Sequence, residues 1–262
     1  MKIFDTHTHY DDEVYGTDSE RHEFLSSLLE KSVAGFIAIG CSPQRNSAAL
    51  KIAGSFENAF CAVGIHPLDV ESVRDTPGYI KTLEEQAVNS PKVRAIGEIG
   101  FDYHYKGYDK DLQRRVFTEQ LELALKLNLP VIIHCREAFS DGLPILKDFA
   151  GRGLRAVVHC FSEDADAVRE YLSFGFYISF TGVVTFKSAH GAREALSAVP
   201  IERLMLETDC PYMAPEPYRG KVCDSGMLSH IAQKFAHVKG VTDDEIVTAS
   251  NANAKLFFGI DF

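Results

Sequence analysis

Several things are missing from this sequence, and each absence excludes a class. No run approaches the ~18 apolar residues of a membrane-spanning helix, so no span is expected. Met1–Asp5 opens without a long apolar stretch, so no signal peptide is expected. No Cys-x-x-Cys occurs. The six cysteines (41, 61, 135, 160, 210 and 223) therefore read as reduced thiols of a cytoplasmic protein, not as a disulfide framework or a zinc ribbon. No Ser/Gly/Pro linker, charge block or low-complexity tract divides the chain, so one domain over residues 1–262 is expected. Positive charge is scarce: 27 Lys and Arg stand against 37 Asp and Glu, a net charge of -10. That balance argues against coating nucleic acid by charge alone, but leaves room for a local basic patch or bound metals. No Gly-x-x-x-x-Gly-Lys-Ser/Thr and no Gly-x-Ser-x-Gly occurs, which excludes a P-loop enzyme and a nucleophile elbow. Gly97-x-x-Gly100 is too little for dinucleotide binding. Disorder is excluded by a hydrophobic content of 45%.

What remains is a rhythm. Eight short apolar runs read as strands: Lys2–Thr6, Gly35–Gly40, Phe60–Gly64, Val93–Ile99, Val131–Ile133, Ala156–Val158, Phe176–Phe180 and Leu204–Leu206. They are continuous rather than alternating, as parallel strands buried on both faces are. Helical spacing fills the gaps: Asp18–Lys31, Pro43–Ser55, Pro77–Ser90, Asp111–Leu127, Asp141–Ala150, Asp164–Phe174, His190–Ala198, Gly226–Val238 and Asp243–Phe258. Thr242 with Glu245 forms a capping box opening the last one. Strand–helix alternation over one domain length predicts an α/β fold, a (β/α)8 barrel, with a doubly wound open sheet as the alternative.

A barrel keeps its functional groups at the carboxyl ends of the strands, and polar residues collect there. His7 and His9 end the first predicted strand. Spaced two apart, they share a face and can grip one divalent ion. Glu98 interrupts the fourth strand. His134, His159 and Asp209 follow the fifth, sixth and eighth. Each of these has an ordinary structural use when taken singly. Together, four imidazoles and two carboxylates on five strand ends suit a pair of divalent ions. Cys135 and Cys160 each follow a histidine by one residue, so both are expected on the opposite face as buried thiols. A second group suits a phosphate: His66 before Pro67, Arg136, and the loop residues Arg219 and Lys221. Tyr103, Tyr105 and Tyr212 near the mouth suit either base stacking or rim packing.

These motifs, in order, resemble the TatD family of metal-dependent deoxyribonucleases, a branch of the amidohydrolase-like barrels. The residues that carry the resemblance are Asp5-Thr6-His7-Thr8-His9, Gly64-Ile65-His66-Pro67, Gly97-Glu98-Ile99-Gly100-Phe101-Asp102-Tyr103, His134-Cys135-Arg136, His159-Cys160-Phe161-Ser162, Thr185-Phe186-Lys187 and Glu207-Thr208-Asp209-Cys210-Pro211-Tyr212. The resemblance implies a hydrolase with two divalent ions (magnesium, zinc or manganese). His7, His9 and Asp209 would hold one ion, His134 and His159 the other, and Glu98 would bridge them. His66 would lie near the scissile phosphate. The implied activity is 3′→5′ trimming of DNA ends or short oligonucleotides. From the residue types, Asp209 is expected to orient the attacking water or take its proton, and a monomer is the default expectation. One loop departs from the family pattern Arg-Gly-Lys-x-Asn-x-Pro: Cys223 stands at the Asn position and Ser225 at the Pro position. The rival is an ester or amide hydrolase for a small molecule or an aminoacyl-tRNA-type ester, because activated water attacks a carbonyl equally well.

Overall fold

A computed structural model describes all residues, 1–262. Eight parallel strands pair in chain order. They are β1 (Ile3–Thr8), β2 (Val33–Ile39), β3 (Ala59–Val63), β4 (Val93–Asp102), β5 (Val131–Arg136), β6 (Ala156–Val158), β7 (Tyr177–Phe180) and β8 (Leu204–Leu206). The helices between and after them are α1 (Asp18–Lys31), α2 (Pro43–Gly54), α3 (Tyr79–Asn89), α4 (Lys110–Leu127), α5 (Phe139–Gly151), α6 (Ala165–Ser173), α7 (His190–Ala198), α8 (Leu228–Lys239) and α9 (Asp243–Phe258). Just past β8 the sheet meets itself: the His9 N–H donates to the Cys210 carbonyl (2.8 Å) and the Asp209 N–H to the His7 carbonyl (3.1 Å). The architecture is therefore a (β/α)8 barrel, not an open sheet.

Strand parity divides the core. Phe4, Ile37, Phe60, Ala95, Ile132, Val157, Tyr177 and Met205, one from each strand, share an inner cluster with Phe257 and Phe258 of α9. Their neighbours in sequence pack outward beneath the helices. Both faces of each strand are thus apolar, as the continuous runs imply.

Two bulges matter for the site. In β1 the register skips between Asp5 and Thr8, and in β4 between Ile96 and Ile99. Each places one extra residue against the partner strand and re-aims the side chains around it. His7 and Glu98 lie inside these two bulges.

Candidate metal centre

The inward parity of Ile132 continues to His134 and Arg136, and that of Val157 to His159. Both imidazoles therefore rise from the apolar barrel floor into its mouth. Glycines make room beside them. Gly100 (φ +146°) passes so close to the His134 carbonyl that a Cβ would sit 1.9 Å from it. Gly64 backs directly onto Gly97, with a Cβ position 2.8 Å from its carbonyl carbon.

Glu98 is the centre of the arrangement. It is 3% exposed, and its two oxygens face two different sets of groups. Oε2 lies 3.4 Å from His7 Nε2 and 3.8 Å from His9 Nε2. Those imidazole nitrogens are 3.2 Å apart, and Asp209 Oδ1 lies 3.7 Å and 3.3 Å from them. Oε1 lies 2.7 Å from His134 Nδ1, 2.7 Å from His159 Nε2 and 3.5 Å from His66 Nε2. The His7 and His159 rings stack in parallel, with centroids 3.8 Å apart.

Charge is strongly coupled here. Burial pushes the Glu98 carboxyl up, but His159 and His66 overcome this and hold it well below the usual carboxylate range. Burial opposes protonation of His159, yet Glu98 and Glu207 hold it well above the ordinary imidazole value. His9 is likewise raised against its burial by Asp209, and His134 by Asp102 and Glu98. His7 goes the other way: burial and the neighbouring His159 lower it.

The donor set fits divalent cations. His7 Nδ1 and both ring nitrogens of His159 are buried without a hydrogen-bond partner. His159 Nε2 is close to Glu98 but not aligned to donate to it. Buried polar atoms rarely stay unsatisfied. Imidazole nitrogens and carboxylate oxygens converging in this way are the ligand types of zinc, manganese and related ions.

His66 is set apart by its local structure. It caps the 3-10 turn Pro67–Val73, and its Nδ1 accepts the Leu68 N–H (3.1 Å). With Nδ1 engaged as acceptor, the neutral ring carries its proton on Nε2, a donor aimed at the site.

Above the polar floor is a cavity of about 690 Å³. His9, His66, Glu98, His134, His159, Asp209 and Arg136 all border it. Tyr105 and Tyr212 stand at its rim. Two expected substrate contacts lie elsewhere, and of the two uses open to Tyr103 the structure shows packing. Arg219 lies over the Phe186 ring (4.2 Å), Lys221 is exposed on the loop, and neither borders the cavity. Tyr103 stacks on Tyr108 (4.6 Å) and donates to Asp141. Cys135 does pack outward among apolar side chains, but Cys160 does not. It is half-buried and borders the cavity. β6 ends at Val158, so strand alternation no longer governs residue 160, and its left-handed backbone (φ 44°) turns the side chain to the mouth.

Residues that motif reasoning left without a role support the histidines. Asp102 Oδ2 lies 3.0 Å from His134 Nε2. Glu207 accepts the Cys160 N–H (2.6 Å) and the Ser179 hydroxyl (2.7 Å), and lies 3.7 Å from His159 Nδ1. Carboxylates behind imidazoles fix ring orientation and raise basicity. A signal existed for both: Asp102 follows Glu98 by four on one strand, and Glu207 is an acid ending an apolar run. Arg45 also reaches the cavity, tied to Asp11 at 2.8 Å.

Known proteins resemble this chain along nearly its whole length. Residues 4–259 match the family model described as TatD related DNase. An uncharacterized metal-dependent hydrolase, YabD of Bacillus subtilis, is 36% identical over 99% of this chain and 100% of its own. A 3′-5′ ssDNA/RNA exonuclease, TatD of Escherichia coli, is 30% identical over 93% of this chain and 94% of its own. The crystal structure of YjjV, a TatD homolog from Escherichia coli, superposes with a TM-score of 0.90 at 25% identity, covering 99% of this chain and 98% of that one. The chain belongs to the TatD family of metal-dependent hydrolases.

Proposed function

We propose that this protein is a phosphodiesterase that trims single-stranded DNA from its 3′ end, with two divalent ions held on the polar cavity floor. The observation that carries the proposal is the division of Glu98 between two donor sets. His7, His9 and Asp209 gather at one oxygen, and His134 and His159 at the other. His7, His9 and Asp209 would hold one ion, His134 and His159 the second, and Glu98 both. Such ions supply Lewis acidity and a nucleophilic water at neutral pH. The exonuclease name of the Escherichia coli relative supports the substrate class.

The chain's own residues supply the rest. Asp209, kept ionised by His9 and His7 against its burial, orients the attacking water and takes its proton. His66 donates its Nε2 proton in a hydrogen bond to a phosphoryl oxygen. Arg136 borders the cavity, its guanidinium over the Tyr105 ring (5.6 Å) and without a carboxylate partner, so it can offset phosphate charge. Water attacks phosphorus and the bond to the preceding 3′ oxygen breaks; that oxygen leaves with the shortened strand and takes up the proton that Asp209 removed from the water. The last nucleotide leaves carrying the phosphate.

A second reading, hydrolysis of a carboxylic ester or amide, draws on the net charge of -10 and the apolar share of the cavity wall. The deciding experiment digests 3′-labelled and 5′-labelled single-stranded DNA with magnesium, manganese, cobalt or zinc, with His134→Ala as control. The expected result is metal-dependent mononucleotide release, seen first from the 3′ label and lost in the control. No release with any of the four metals, with turnover of a carboxylic ester instead, would establish the second reading.

A further inference from the structure

The cavity has two unlike walls. Between β2 and the end of β5 it is polar: Arg45, paired with Asp11, and Arg136 line it together with Asp69 and Asp102, so the cations of the cavity all lie on this side. Around β6, β7 and β8 it is apolar: Phe161, Phe180, Val183, Val184, Ala192 and Met213 form a lobe beside His159 and Asp209. Neither lysine nor arginine lines that lobe. The side-chain hydroxyls on this side of the cavity are those of Ser162, Thr181 and Tyr212, the last donating to Asp12.

The backbone behind the lobe is held in place by its own hydrogen bonds, while the exposed Ser162 hydroxyl at its edge stays free. The Thr185 hydroxyl donates to the Gly182 carbonyl (2.6 Å) and accepts the Glu216 N–H (2.8 Å). Arg193 donates to the carbonyls of Val184 (3.1 Å), Phe186 (2.6 Å) and Lys187 (3.1 Å). Gly182 presses on the next loop so closely that a Cβ would sit 2.0 Å from the Met213 carbonyl oxygen. Phe161 and Phe180 meet edge to face at 5.6 Å, both buried.

We propose that this lobe seats the terminal nucleobase of the strand being cut, held by stacking and shape without reading base identity. The proposal rests on the phosphodiesterase reading above. Of the pieces flanking a scissile phosphate at a strand end, one is anionic chain and the other a single nucleoside. The anionic chain runs along the wall that has cations. The lobe has none, so it takes the uncharged piece. A second phosphate beyond that nucleoside would enter an apolar lobe with no cation to pair it, which is costly. The same feature explains cutting at an end rather than within a strand. Apolar walls contact the π-face every base has, and the lone free hydroxyl of Ser162 at the edge is too little of a hydrogen-bond pattern to tell four bases apart.

The test is the single-turnover release of the 3′-terminal residue from four otherwise identical oligonucleotides. Their ends carry an ordinary base, a nonpolar shape mimic of a base, no base, and a terminal 3′-phosphate. The mimic is expected to leave at a rate within about threefold of the ordinary base, and the abasic and 3′-phosphate ends about ten- to a hundredfold more slowly. A mimic as slow as the abasic end would overturn the proposal, as would a 3′-phosphate end cut as fast as a free one. Ala192→Phe, which narrows the lobe from α7, locates the effect: it should slow the ordinary end more than the abasic end. Equal slowing of both, or none, contradicts the assignment. Failure to cut any oligonucleotide is a separate result, and overturns the phosphodiesterase reading itself.

Discussion

At the amino-terminal end of the barrel, Phe4 stacks on Phe262 with centroids 4.3 Å apart, and Phe257 and Phe258 join the inner cluster. At the carboxyl end the same strands carry His7, Glu98, His134 and His159. Backbone groups of β1, β8 and the turn before β8 are matched at the closed end by α9. Asn251 accepts the Phe4 N–H (3.0 Å), Ser250 accepts the Leu206 N–H (2.8 Å), and Asn253 donates to the Ile201 and Leu204 carbonyls (2.8 Å each). At the open end, buried imidazole nitrogens are left unmatched, and Glu137, Cys160, Asp209 and Met213 adopt left-handed backbone. Non-glycine residues persist in that conformation only where their surroundings impose it, and such sites cluster at functional centres. One end is built to hold the fold and the other to hold ligands.

Mutations should separate these two ends. The largest effect is expected from Glu98→Ala, which removes the group common to both donor sets. Hydrolysis should fall about a thousandfold or more, a loss of several kcal/mol in the transition state, while the fold survives. Retained turnover would break the contrast. Next, Met205→Ala at the closed end should destabilise the protein by about 2–5 kcal/mol in denaturant titrations. Turnover per folded molecule should stay near that of the parent, and a matching loss of turnover would show the two ends to be coupled. Third, Asp102→Asn leaves all six candidate ligands in place but weakens the support of His134. Metal affinity should drop about 10- to 100-fold, and an unchanged affinity would assign Asp102 to packing alone.

Acidity sharpens the comparison. His9, His134 and His159 are all raised above the ordinary imidazole value, and each must shed its proton to offer a lone pair. Metal affinity should therefore fall as pH drops through and below those raised values, by about tenfold per unit for each proton displaced. Flat affinity across that range would mean these rings do not ligate. The smallest effect is expected from Arg219→Ala. Its guanidinium lies over an aromatic ring at the surface, away from the cavity. A change in kcat/KM under about fivefold is expected. A larger loss would bring that loop into the substrate path.

Most of the barrel is legible in the order of residues because both faces of each strand are apolar. Ala156–Val158, Leu204–Leu206 and α1, α7 and α9 fall where the patterns place them. Strand ends were harder. β4 runs on to Asp102 and β5 to Arg136, past the end of their apolar runs. Those extensions carry the polar side chains of the mouth, and alternation of polar and apolar residues over two or three positions does not distinguish a strand from a loop. The six candidate ligands stand out because histidine and acid residues seldom end apolar runs. The cationic side of the mouth was less legible. Arg136 inherits its direction from strand parity, whereas Arg219 and Lys221 sit on a loop with no periodicity to orient them. Cys160 was misplaced for the same reason, one residue beyond the end of regular structure.

The central claim is that Glu98 joins two ion sites, and the most direct measurement is a metal titration of the apoprotein beside its Glu98→Ala variant, followed by calorimetry. The account predicts two equivalents bound by the parent and a marked weakening of both in the variant. Two equivalents bound with parental affinity in Glu98→Ala would contradict it.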